Sequence, residues 1–151
     1  MTTLTIPGFS AAAQILKESE QLHSDRQQEA MTFSRQPAID AVCDAWLACQ
    51  AANWDGENSL PISKSTFETT CRLIAALPHG FPSPTVAAEP DGHLDLEWYK
   101  HPRRTLSVSV SPKGTLHWAA LIGTENLRGS CPFFDEIPET LLYWIGRVCA
   151  G

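Results

Sequence analysis

The stretch LDLEWYKHPRRTLSVSVSPKGTLHW, Leu94 to Trp118, decides the fold. It alternates apolar and polar residues through three successive runs, the pattern of strands with one buried face. Its interruptions, KHPRR and SPKG, carry the proline, glycine and charge of exposed turns. Just upstream, EPDGH repeats the second interruption's arrangement, with proline second and glycine fourth. That arrangement favours a type I turn closed by a left-handed glycine bulge, which pairs Glu89 with His93 and Ser111 with Thr115.

The turns fix the register. Val110 then lies beside Leu116, Val108 beside Trp118 and Leu106 beside Ala120, with Ala88 beside Leu94 and Val86 beside Leu96. Pairing Trp98 with Leu106 across KHPRR keeps apolar residues facing apolar ones throughout. The expected strands are Thr85–Glu89, His93–Tyr99, Arg104–Val110 and Thr115–Leu121, a four-stranded antiparallel meander. Leu94, Leu96, Trp98, Leu106, Val108, Val110, Leu116 and Trp118 make one face, to be buried together under helices. The other face reads in rows: Asp95, Ser109 and His117, then Glu97, Ser107 and Ala119.

Outward from the sheet, Ile39, Val42, Cys43, Trp46 and Leu47 follow helical spacing and predict a helix over Pro37–Ala52, with Pro37 in its first turn. Ser65 and Glu68 stand at capping-box spacing and open a second helix, Ser65–Leu77, stopped by Pro78. After the last strand the sequence predicts a loop and a closing helix, Pro138–Val148. Residues 10–33 hold a broken stripe of Ile15, Leu16, Leu22, Met31 and Phe33, a helical arm that needs apolar cover from its own domain or from a second copy. The fold class is α+β: a helical arm over residues 1–34, and a single α+β domain over 35–151 with N-terminal helices, the meander and a C-terminal helix.

The whole chain agrees with one core domain. At 151 residues and 43% hydrophobic content, it can bury roughly two-thirds of its unfolded surface. No apolar run approaches the ~20 residues of a membrane helix, and the N-terminus lacks the basic start of a secretory signal; a cytoplasmic location is expected. The net charge is −6, with three basic and eight acidic residues in positions 1–60 and eight and nine after them. Basic residues cluster only at Lys100, Arg103 and Arg104, so nucleic acid is not an expected partner. The five cysteines are scattered without a Cys-x-x-Cys pair, which suits buried reduced thiols. No cofactor motif is present.

Candidate chemistry sits on the polar rows. In the row Asp95, Ser109, His117 the serine lies between acid and histidine, whereas a hydrolytic triad needs histidine between the other two. His93, Asp95 and His117 are the candidate metal ligands, two imidazoles and a carboxylate, although strands two apart are separated by about 9–10 Å. Arg103 and Arg104 on the hairpin tip, Asp95, Glu97 and His117 on the face, and Trp54, Asp55 and Glu57 in a loop are the candidate binding residues. For that loop the structural expectation is a tryptophan anchored in the core, an Asx-type turn at Asp55 and a positive φ at Gly56.

Trp54-Asp55-Gly56, the Pro61-Ile62-Ser63 step, EPDGHLDLEW, LSVSV and the closing IPETLL together resemble an uncharacterised group of small bacterial proteins. The likeness spans roughly Asn53 to Val148. That group tends to carry glycine-alanine where this chain has Asn58-Ser59, and asparagine still tolerates a left-handed backbone. The resemblance implies an accessory role in bacteria or their mobile elements. Function is thus expected to be non-enzymatic protein binding or regulation, of inhibitor or immunity type. The alternative is a small metal-dependent or hydrolytic enzyme using the polar sheet face.

Overall fold

The computed structural model describes residues 7–150, with side chains described at 14, 15, 17–22 and 35–150. By contacts the chain divides into two units, Met1–Ser34 and Arg35–Gly151. In the first, Ile15 and Leu22 are exposed. The side chains of Leu16, Met31 and Phe33, the rest of the stripe read above, lie outside the described residues.

The sheet has five strands, not four: β1 (Thr85–Ala88), β2 (Leu94–His101), β3 (Arg104–Val110), β4 (Thr115–Ile122) and β5 (Glu125–Pro132), antiparallel and in sequential order. From β1 to β4 the register is the one expected from the two glycine turns and from apolar matching across KHPRR. Val86 faces Leu96, Leu96 faces Val108 and Val108 faces Trp118, while Trp98 faces Leu106. At both bulged turns the first residue's N–H meets the fifth residue's carbonyl, Glu89 to His93 at 2.9 Å and Ser111 to Thr115 at 3.0 Å. Gly92 and Gly114 take φ of +89° and +78° there, a backbone that side chains with a Cβ resist.

β5 replaces the expected loop. Its residues Asn126, Gly129 and Ser130 are poor strand formers, which hides the alternation of Leu127 and Cys131. Tertiary pairing decides instead: Leu127 faces Ala120, Gly129 faces Trp118 and Cys131 faces Leu116. A Cβ at Gly129 would lie 2.5 Å from the Trp118 ring, so glycine makes room for the indole. Trp118, expected in the core with its neighbours, is therefore only half-buried, over Gly129 and 6.0 Å from the Trp144 ring.

Among the described residues three helices accompany the sheet: α1 (Pro7–Ala48), α2 (Lys64–Ala75) and α3 (Glu139–Cys149). The helix expected to begin at Pro37 and reach Ala52 is instead the end of α1, with Pro37 inside it and its last turn at Ala48. A proline there forfeits one backbone bond. Nearby, Arg35 donates to the Ser83 hydroxyl and the Pro78 carbonyl, both at 2.9 Å. Beyond Ala48 the Cys49 carbonyl accepts from Ile62, which turns the chain away from the helix axis.

Ser63, not Ser65, caps α2. Its hydroxyl accepts the Thr66 N–H at 3.1 Å, and the Ser65 hydroxyl donates to the Pro112 carbonyl instead. α2 packs on β2 and β3, α3 on β2, β3 and β4, and Trp46 of α1 stacks on Phe67 of α2 with centroids 4.4 Å apart. Leu94, Leu96, Trp98, Leu106, Val108, Val110 and Leu116 are all buried against these helices, with Leu73, Ile74, Leu141, Ile145 and Val148. No helix among the described residues is long and apolar enough to cross a membrane.

Candidate functional site

The residues singled out from sequence fall in three places. Trp54, Asp55 and Glu57 belong to a loop joined to the β1–β2 turn, where Leu60 N–H donates to the Pro90 carbonyl at 2.8 Å. Arg103 and Arg104 stand at the opposite strand ends. Asp95, Glu97 and His117 lie between them, on the uncovered face.

The loop is closed by its own polar groups. Asn53, Gly56 and Asn58 all take positive φ. Asp55 Oδ1 accepts the amides of Glu57 at 2.8 Å and Ser59 at 3.3 Å. The Asn53 side-chain oxygen accepts that of Asn58 at 2.7 Å. These bonds, the Glu57 amide first and the Ser59 hydroxyl next, hold the Asp55 carboxyl below its usual range, since they favour the charged form. The half-buried Trp54 donates its indole N–H to the Leu60 carbonyl at 2.7 Å. Asp55 is thereby occupied in shaping the turn, while Glu57 is exposed.

At the basic tip, Arg104 reaches the α3 C-terminus and donates to the carbonyls of Arg147 at 2.8 Å and Ala150 at 2.5 Å. A guanidinium there satisfies carbonyls that a helix end leaves open and complements its dipole. Arg104 is thus a tie between sheet and helix, while Arg103 and Lys100 remain exposed.

The open face carries the densest chemistry. Its central rows read Ala87, Asp95, Ser109, His117, Ser130 and Thr85, Glu97, Ser107, Ala119, Arg128 across the strands. The small alanine and serine side chains keep its middle shallow. Burial, then the charges of Glu89 and Glu97, push Asp95 up to about 7, and a hydrogen bond shared with Glu89 adds to this. His117 is exposed and Glu97 half-buried.

His93 makes a contact that the row-by-row reading missed. Its Nδ1 lies 2.9 Å from the Ser109 hydroxyl, although Ser109 pairs with Asp95. Diagonal neighbours on a twisted sheet come within reach of long side chains, and that is where the signal lay. The acid beside His93 is Asp91, at 3.8 Å and from the same Nδ1. A catalytic histidine holds the serine with one ring nitrogen and the acid with the other. Serine and acid here compete for one nitrogen, and Ser109 sits within a paired strand rather than on a strained elbow.

His93, Asp95 and His117, considered above as metal ligands, do not converge. The two imidazoles lie face to face, 5.9 Å between centroids and 18° between planes, whereas ligands must aim their lone pairs at one point about 2 Å away. Among the described residues no group of three or more histidine, cysteine or acidic side chains is disposed to hold a metal ion. The five cysteines are free thiols. Burial pushes Cys49, Cys71, Cys131 and Cys149 up, the opposite of an activated thiolate.

No protein-family model, curated protein or solved structure matches the chain.

Proposed function

We propose that this chain is a non-enzymatic protein-binding module whose open sheet face, centred on Asp95, Ser109 and His117, receives a protein partner. The observation that carries this reading is the face itself. It sets Ala87, Asp95, Ser109, His117 and Ser130 in one row and Thr85, Glu97, Ser107, Ala119 and Arg128 in the next, on the side of the sheet away from α2 and α3. Serine and acid meeting one nitrogen of His93 supports binding over hydrolysis. The likeness to bacterial accessory proteins favours a role of inhibitor or immunity type.

The test is quantitative capture from the source cells by the parent and by His117→Glu and Ala119→Glu, which alter exposed face positions, with Tyr143→Glu on α3 as the control. A partner retained by the parent and the control but lost by both face variants supports the proposal. Equal retention by all four proteins overturns it. The contact between His93 and Ser109 favours one other reading, a weak hydrolase. Turnover of activated esters that disappears in both Ser109→Ala and His93→Ala would establish that reading instead.

A further inference from the structure

The two edges of the sheet are built differently. β1 has four residues, Thr85–Ala88, bracketed by Pro82, Pro84 and Pro90. Short strands flanked by proline are how sheets blunt an edge against further pairing. β5 has eight residues, with no proline before Pro132 at its end and a single charge, Arg128, in its interior.

The ladder shows which groups β5 leaves open. Phe133 N–H bonds to the Gly114 carbonyl at 3.0 Å, so the odd-numbered residues of this strand turn their backbone toward β4. By alternation, Asn126, Arg128 and Ser130 turn theirs outward, and their side chains are exposed. On the helix side neither α2 nor α3 packs on β5. Leu127 and Cys131 therefore remain half-buried, beside Trp118 and the Trp144 ring, whose buried indole N–H has no hydrogen-bond partner among the described residues.

A second copy fits this edge poorly. The symmetric register that uses all three outward residues pairs Asn126 with Ser130 and sets Arg128 opposite the Arg128 of the other copy, two like charges directly across a ladder. Shifting by two residues loses part of the pairing. A strand with a carboxylate at that position, flanked by apolar residues, gains instead: the acid meets Arg128 on the polar face while its neighbours turn toward Leu127 and the Trp118 edge. We propose that β5 is a strand-addition site for an extended segment of a partner protein, with an acidic residue opposite Arg128 and apolar residues on either side. This edge adjoins the face proposed above and shares the Arg128 and Ser130 side chains with it; strand addition is told apart from binding on that face by the outward amides of β5, which only a paired strand hydrogen-bonds.

The probe is a phage-displayed library of random linear peptides long enough to span β5, panned on the full chain. The expected winners carry an acid between apolar residues. They should bind the parent and lose roughly tenfold, about 1.4 kcal/mol, with Arg128→Glu and with Ser130→Pro, which deletes one outward N–H. Thermal melts of both variants establish that they fold, and Arg128→Glu keeps the test alive if the proline disturbs the strand. In hydrogen exchange the bound peptide should slow the amides of Asn126, Arg128 and Ser130. A panning without binders, winners that bind Arg128→Glu and the parent equally, or protection confined to other strands would each overturn the proposal.

Discussion

Asp95 is where a single side chain makes the open face sensitive to pH. Folded, its carboxyl is raised to about 7 by burial and by Glu89 and Glu97; unfolded, it returns to about 3.9. Between those values the folded chain holds a proton that the unfolded chain has given up, so this group makes stability fall as pH rises through the window. Asp95→Asn removes the dependence. Thermal melts should show the variant close to the parent at about pH 4 and more stable by about 1–2 kcal/mol at about pH 8, a figure reduced for the solvent that reaches a half-covered face. Equal stability of the two proteins at the higher pH would mean that Asp95 ionises there without cost. The loop gives a contrasting case, because its polar atoms are matched inside the loop. Trp54→Ala should cost about 3 kcal/mol, as removal of a large packed aromatic does. Trp54→Phe should cost about 1, the worth of its bond to the Leu60 carbonyl. Asp55→Ala should also destabilise, because it leaves the Glu57 and Ser59 amides without their acceptor. Urea titrations measure all three, and full stability of Trp54→Ala would remove the loop's claim to a structural role.

At the scale of elements, what was legible depended on whether a local rule decided the outcome. Gly92 and Gly114 could occupy only one kind of turn, and with them followed the registers of β1 with β2 and of β3 with β4; apolar matching across KHPRR then supplied the pairing of Trp98 with Leu106. The rows of the polar face came with that register. β5 was illegible because its pairing rests on a partner rather than on its own propensity. Gly129 lowers that propensity and earns its place only through the Trp118 ring lying across it. The start of α2 shifted from Ser65 to Ser63 because Thr66 supplies the amide that Ser63 accepts, a bond that a search for glutamate three residues on does not find. Of the candidate site, the face residues were placed correctly, but the contact of His93 with Ser109 runs diagonally and falls outside a row-by-row reading. The Gly129 arrangement is open to measurement. Gly129→Ala pushes a methyl group into the indole and should destabilise by about 1–3 kcal/mol, with a change in the near-ultraviolet dichroism of the Trp118 and Trp144 pair. Adding Trp118→Leu should return much of that loss, because the two changes share one contact and cannot be additive. An additive pair would show that the ring and the glycine are not coupled.

For the molecule as a whole, the location of the core decides what can fold alone. Among the described residues every member of the buried cluster, from Ala38 to Val148, lies in the second unit, and so do Arg35 with its bonds to Ser83 and Pro78 and the whole sheet. In residues 1–34 the described side chains, Ile15 and Leu22 among them, are exposed. A chain of this size unfolds cooperatively when its core is contiguous, so a fragment of residues 35–151 should melt in one transition with the far-ultraviolet signature of a mixed helix and sheet protein. Arg35 then becomes its first residue of consequence. Its guanidinium is buried, and desolvation lowers its pKa; the two bonds it donates, to the Ser83 hydroxyl and the Pro78 carbonyl, offset that burial. Arg35→Ala in the full chain should cost about 2–3 kcal/mol, because it strips charged donors from the Ser83 hydroxyl and the Pro78 carbonyl together, while Arg35→Lys should recover only part of that, having a single point of charge where two separate nitrogens now reach two acceptors. Denaturant melts of the fragment, the full chain and both variants test the division directly: a fragment that unfolds gradually, or an alanine variant as stable as the parent, would mean that the stability of the second unit does not begin at Arg35.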